Sequence, residues 1–297
     1  MILASPILNP KPKFGGHSSK SLAISTNPFL RCSFFTTKFS STLLKCHCGT
    51  HNKDTDKSTQ GFSVLTSDIP WKTESLWSTM ALYMFNLHIP LGFGGLSIVS
   101  YLLHQPVLDP QTEALSLLVI DILELLATLF LLKSAIKPNN RHLDIFKANP
   151  VERNWLLASA LGFGVLILLV FLTSIVVDGL YGIKDVNNLI LKEMLVRSDI
   201  SKGACITVYC IITPIFEEMV YRGFMLASLA STMNWKQAVV ISAAIFSAAH
   251  LSGENFLQLF VIGCILGCSY CGTGNLSSSI LIHSLYNAFT LIITFLS

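Results

Sequence analysis

The chain is 297 residues long, 52% hydrophobic and only 12% charged, with a formal net charge of +3. A soluble domain usually carries about 25% charged residues, so this composition excludes an ordinary soluble enzyme. No basic patch interleaved with aromatics suggests nucleic acid as a partner, and the eight cysteines lie in the N-terminal stretch and in apolar segments, which is not a disulfide framework.

In chain order, residues 1–50 come first. They hold Lys11, Lys13, Lys20, Arg31, Lys38 and Lys45, are dense in Ser and Thr, and precede the first acidic residue, Asp54. A basic, hydroxyl-rich, acid-free start is the composition of an organelle transit peptide, and the lack of an Arg-rich amphipathic helix favours the chloroplast. Residues 51–75 read as a polar linker. Residues 76–297 then form a multi-spanning membrane domain. A span needs about 20 mostly apolar residues, and candidates lie at 78–104, 113–136, 154–178, 202–230, 235–250, 254–272 and 276–296. The 235–250 segment is short, which implies shielding by neighbours or an opening toward water. Residues 186–198 are amphipathic and suit the interface or a cap on the bundle. Long continuous apolar runs satisfy their backbone groups in lipid only as helices. The expected fold is therefore all-α, a polytopic transmembrane bundle of about seven to eight helices. Lys133, Lys137, Arg141, Lys147 and Arg153 assign the loop they share to the cis side, with the N-terminus on the same side.

Charged side chains at mid-membrane cost from about 2.5 to over 10 kcal/mol, so they face a cavity, pair with each other or do chemistry. The last four spans hold Glu217, Glu218, Arg222, His250, His283 and Asn287. Glu218 and Arg222 are four apart and share a helix face, as an ion pair requires. Glu217 sits about 100° round the helix from Glu218 and points elsewhere. Phe246 and His250 are four apart, as are His283 and Asn287. If the three helices converge, one pocket collects a carboxylate, two imidazoles and an amide. Such a pocket suits hydrolysis. Glutamate with histidine can hold and deprotonate a water, while a second histidine and an asparagine can donate to the oxyanion formed when water attacks a carbonyl. Each group also has a plain use: Glu218 with Arg222 as a neutralised structural pair, His250 bonded to a backbone carbonyl, Asn287 as helix–helix glue. Two His and a Glu are also a zinc-type ligand set, though the helical HExxH spacing is absent.

In this order the residues resemble the CAAX prenyl protease and bacteriocin-processing family of intramembrane glutamate proteases. Its EExxxR motif corresponds to Glu217–Arg222, its FxxxH motif to Phe246–His250 and its HxxxN motif to His283–Asn287. The resemblance covers roughly residues 200–295. It implies Glu217 as catalytic base with His250, His283 and Asn287 as the oxyanion hole, and Glu218, Arg222 and Phe246 in support. It also implies a metal-independent reaction, so no cofactor is expected. The family's eukaryotic CAAX proteases act on prenylated C-termini in the endoplasmic reticulum. A plastid address departs from that setting, so what carries over is peptide-bond cleavage near a membrane.

Other signals carry less. Cys264, Cys268 and Cys271 have a CxxxCxxC spacing, but they lie on one face of an apolar span and read as small packing residues. Cys46, His47, Cys48 and His51 fall near the expected cleavage region of the transit peptide. Asp121 and Glu124, three apart on one helix face, line a vestibule or pair with basic residues, and they admit a proton or ion transporter. The expected partners are membrane lipid and a peptide or membrane-protein substrate, with no nucleic acid. The expected function is an intramembrane endopeptidase in a chloroplast membrane. The other reading is a non-proteolytic scaffold that stabilises membrane proteins.

Overall fold

In the computed structural model, residues 61–137, 154–181, 188–253 and 255–297 are described. The expected transit peptide, its cysteines and His47 and His51 lie outside them. The described chain is helical, with nine helices and no strand beyond one isolated bridge, between Trp71 and Ile136. Five helices are long and apolar enough to cross a membrane, or six if one bent pair counts as a single span.

That bent pair comes first. Helix α1, Thr73–Phe93, meets α2, Gly95–Leu102, at an angle of 48°. Residues Tyr83–Phe93 are wound as π-helix around Pro90. Proline has no N–H and interrupts the ladder, and the chain answers with wider turns. At the break, a Cβ on Gly94 would lie 2.6 Å from the Pro90 carbonyl oxygen, so only glycine fits there.

Helix α3, Pro110–Ala135, is 26 residues long. Asp109 caps it by accepting from the Gln111 and Thr112 amides, and proline occupies its first turn. Helix α4, Trp155–Tyr181, is 27 residues and mostly turned outward. The short α5, Leu189–Arg197, buries Leu191, Met194 and Leu195 against Ala114, Ala204 and Leu291. It caps one end of the bundle, as its amphipathic pattern predicts.

Helix α6, Asp199–Ala230, runs through the centre of the molecule. It contains two π-helical stretches, Val208–Ile212 and Met219–Leu226, on either side of Thr213–Glu218. Helix α7, Trp235–Ala249, has 15 residues, about 22 Å at 1.5 Å per residue. That is short of the roughly 30 Å hydrocarbon core. Its chain packs instead on α8, Phe256–Thr273. A Cβ on Gly263 would lie 2.9 Å from that of Ala243, so glycine permits the close approach. Helix α9, Leu276–Leu296, completes the core.

Residues 61–72, inside the expected polar linker, lie along the helix ends. The Trp71 indole N–H donates to Ser228 Oγ at 2.7 Å, and its ring packs on Phe224 at 5.0 Å. Val64 donates to the Cys271 carbonyl, and the Lys137 amide donates to that of Pro70. These contacts set the start of α1 and the ends of α3, α6 and α8 on one side.

Candidate active site

The polar residues of the C-terminal third converge. Helix α6 brings Glu217, Glu218 and Arg222, all buried, and Arg222 and Glu218 are sealed completely. One oxygen of Glu218, Oε1, accepts from Arg222 Nη1 at 2.8 Å and from His283 Nδ1 at 2.9 Å. The i, i+4 pair expected from the spacing is therefore formed, and α9 joins it. Arg222 Nη2 reaches the Gly263 carbonyl at 3.4 Å. The guanidinium lies over the Phe246 ring at 4.4 Å, a cation–π contact that Arg makes better than Lys.

Phe246 is the hub of the site. Its ring meets Arg222 on one side, His250 at 4.7 Å and Tyr221 at 5.2 Å. Its carbonyl accepts from His250 Nδ1 at 2.7 Å. A carbonyl only accepts, so His250 Nδ1 carries a hydrogen. The other nitrogen, Nε2, is thereby turned toward Glu217.

Glu217 sits between two imidazoles. His250 Nε2 is 3.9 Å from Glu217 Oε1, and His283 Nε2 is 3.7 Å from Glu217 Oε2. Both separations exceed a hydrogen bond, yet a water seated off either line reaches both groups. His283 donates Nδ1–H to the Glu218 carboxylate, so it too turns Nε2 toward Glu217.

Asn287, one turn beyond His283, donates from Nδ2 to the Tyr209 carbonyl at 2.8 Å, and its Oδ1 is buried without a hydrogen-bond partner. The local sequence explains why that carbonyl accepts from another helix. In the π-helical stretch the Thr213 amide donates to Val208 rather than to Tyr209. The next residue, Pro214, has no N–H to offer. The Tyr209 carbonyl is left over by its own helix, and Asn287 takes it.

A second polar group lies beside the first. His88 Nδ1 is 2.8 Å from Glu124 Oε1, and the Tyr83 hydroxyl is 3.3 Å from His88 Nδ1 and 3.5 Å from Glu124. Asp121, one turn earlier on α3, accepts from Thr213 at 2.8 Å, and Thr213 stands one turn before Glu217 on α6. Sequence reasoning identifies Asp121 and Glu124 but misses Tyr83 and His88. The available signal is an imidazole inside an apolar span, at 78–104. Cys264, Cys268 and Cys271 are free thiols on α8. Among the described residues, no three His, Cys, Asp or Glu side chains are grouped to hold a metal ion.

Comparison with known proteins reaches the same helices. Residues 201–289 match the family described as type II CAAX prenyl endopeptidase Rce1-like. This segment contains Glu217, Glu218, Arg222, Phe246, His250, His283 and Asn287. The chain is also 28% identical over 177 residues to the membrane-embedded CAAX protease MroQ of Staphylococcus aureus (strain USA300), covering 57% of this chain and 70% of that protein. No solved structure matches. The polar pocket of α6 to α9 thus lies within the segment, residues 201–289, that is similar to the type II CAAX prenyl endopeptidase Rce1-like family.

Proposed function

We propose that the protein is an intramembrane endopeptidase in which Glu217 and His250 activate the hydrolytic water. The observation that carries this reading is the placement of one buried carboxylate between two imidazole Nε2 atoms, at 3.9 and 3.7 Å. A water held between Glu217 and His250 gives up a proton as its oxygen attacks the peptide carbonyl. His283 and the second N–H of Asn287 donate to the oxyanion that results. Charge balance supports this arrangement. Two carboxylates face one guanidinium, which leaves one excess negative charge in an apolar interior. Burying such a charge without compensation is costly. The two imidazoles that flank Glu217, at 3.9 and 3.7 Å, are the groups placed to offset it. Glu218, Arg222 and Phe246 hold His283 and His250 in place and touch no reacting atom. The reaction needs no metal on this reading. The substrate is a membrane-associated peptide, and the basic, hydroxyl-rich N-terminal composition supports a plastid membrane as its location.

The test uses the full chain in lipid vesicles with a farnesylated, fluorescence-quenched CAAX peptide. Glu217→Ala and His250→Ala, matched to wild type in folded amount, each lower cleavage by more than about a hundredfold, the range of a lost general base. Full cleavage by either variant sinks the proposal. A chelator leaves the rate unchanged, and loss restored by zinc overturns the metal-independent mechanism.

A further inference from the structure

The cluster of Tyr83, His88 and Glu124 lies outside the matched segment and is unused by the mechanism above. Glu124 is 1% exposed, in a largely apolar stretch of α3. A carboxylate so deep requires a donor or cationic partner, and His88 Nδ1 supplies it at 2.8 Å. His88 itself is 14% exposed, so it is the more accessible member, and Nδ1 being engaged leaves Nε2 as its working nitrogen. The pairing depends on the π-helical winding of α1. Tyr83 and His88 are five apart, which in an α-helix sets them about 140° round the axis from each other. Wound as π-helix they stack, with ring centroids 5.4 Å apart.

The cluster borders the pocket of Glu217. Tyr83 meets Tyr221 edge-on at 6.2 Å, and Tyr221 is one turn from Glu217 on α6. Helix α3 ties the cluster to the same turn of α6, since Glu124 holds His88 and Asp121, one turn earlier, accepts from Thr213, one turn before Glu217. The site therefore has two unlike walls. The α9 wall offers donors, namely the Asn287 amide and the His283 imidazole. The α3 wall offers carboxylates, Asp121 and Glu124, with His88 fixed against the second. Amide hydrolysis makes unlike demands at its two ends. The carbonyl oxygen gathers negative charge and needs donors, while the nitrogen must acquire a proton before it can leave.

We propose that the scissile bond lies with its carbonyl toward α9 and its nitrogen toward α1 and α3, and that His88, positioned by Glu124 and Tyr83, protonates the leaving nitrogen. The proposal rests on the hydrolytic reading of Glu217 and His250. Water loses a proton to that pair as the carbon–oxygen bond forms. His88 gives a proton to nitrogen as the carbon–nitrogen bond breaks. The proton held at Glu217 then restores His88, so the products are a carboxylic acid and an amine with no net proton consumed.

The experiment compares the farnesylated CAAX peptide with the same peptide carrying an ester at the scissile bond. An alcohol leaves with far less need of a proton than an amine does. His88→Gln lowers the amide-to-ester ratio of kcat/KM about a hundredfold, the scale of a lost general acid. Glu124→Gln moves the ratio the same way by a smaller factor, since it acts through His88. Equal loss on both substrates means a structural pair and overturns the proposal, as does a variant that cleaves both normally. Glu217→Gln separates the two readings. If it cleaves neither substrate while His88→Gln fails to discriminate, the role of His88 alone falls. If it cleaves both, or if the wild-type chain cleaves neither, the hydrolytic reading fails and the role of His88 with it.

Discussion

Arg222 carries more of the site than a single ion pair. Its guanidinium holds Glu218, reaches the Gly263 carbonyl and covers the Phe246 ring, all without contact with solvent. Removing one partner of a buried pair strands the other charge at a cost of about 3–5 kcal/mol, whereas replacing both by apolar groups of similar volume can be neutral. Arg222→Met is therefore expected to destabilise the protein strongly, and Glu218→Leu combined with Arg222→Met to recover much of the loss. Unfolding in a graded denaturing-detergent titration reads both. A double variant as unstable as the sum of the singles would show that the two charges do not compensate each other. Arg222→Lys is no conservative change, because an ammonium cannot present a planar face to Phe246 while forking to two acceptors.

At the scale of the helix, α6 is shaped by one proline. Pro214 supplies no N–H, the Thr213 amide turns to Val208, and the Tyr209 carbonyl is left for Asn287. Pro214→Ala restores an N–H that can close the ladder onto Tyr209. The contribution of Asn287 then shrinks. In a double-mutant cycle of Pro214→Ala with Asn287→Ala, the expected coupling is about 0.5–3 kcal/mol, the range for residues sharing a partner. Additive effects would mean that the carbonyl is not what binds Asn287. The same feature marks what a sequence can show. The spans at 113–136 and 276–296 match α3 and α9 closely, because long apolar runs in lipid have only one solution. The charged and amide residues of α6 to α9 are legible because hydrocarbon makes each of them expensive. Tyr83 and His88 are not, since they meet only at π-helical spacing, which no α-helical periodicity reveals. The shortness of α7 was visible, but its packing partner α8 was not, because Gly263 announces a close approach without saying to what.

Across the whole molecule, the strap of residues 61–72 joins helices that are distant in sequence. Pro70 and Trp71 lie beside Lys137 and Ile136 at the end of α3, so the strap and that helix end lie together. Trp71 is 3% exposed and makes two kinds of contact, a hydrogen bond to Ser228 and ring packing on Phe224. Both partners lie on the last turns of α6, the helix that carries the carboxylates. Ser228 in turn donates to the Phe224 carbonyl, so the indole closes a short chain of hydrogen bonds. Trp71→Phe keeps the packing and loses the indole donor, a change of about 1 kcal/mol. Trp71→Ala loses both and leaves a cavity, at about 3–5 kcal/mol. Detergent unfolding of the two variants is expected to rank them in that order. The end of α6 is also expected to exchange its amide hydrogens faster in Trp71→Ala than in wild type, while α4 is unaffected. Equal stability of Trp71→Ala and Trp71→Phe would show that the strap merely lies on the bundle. The expected ranking would make this stretch part of the fold that holds the end of α6 in place.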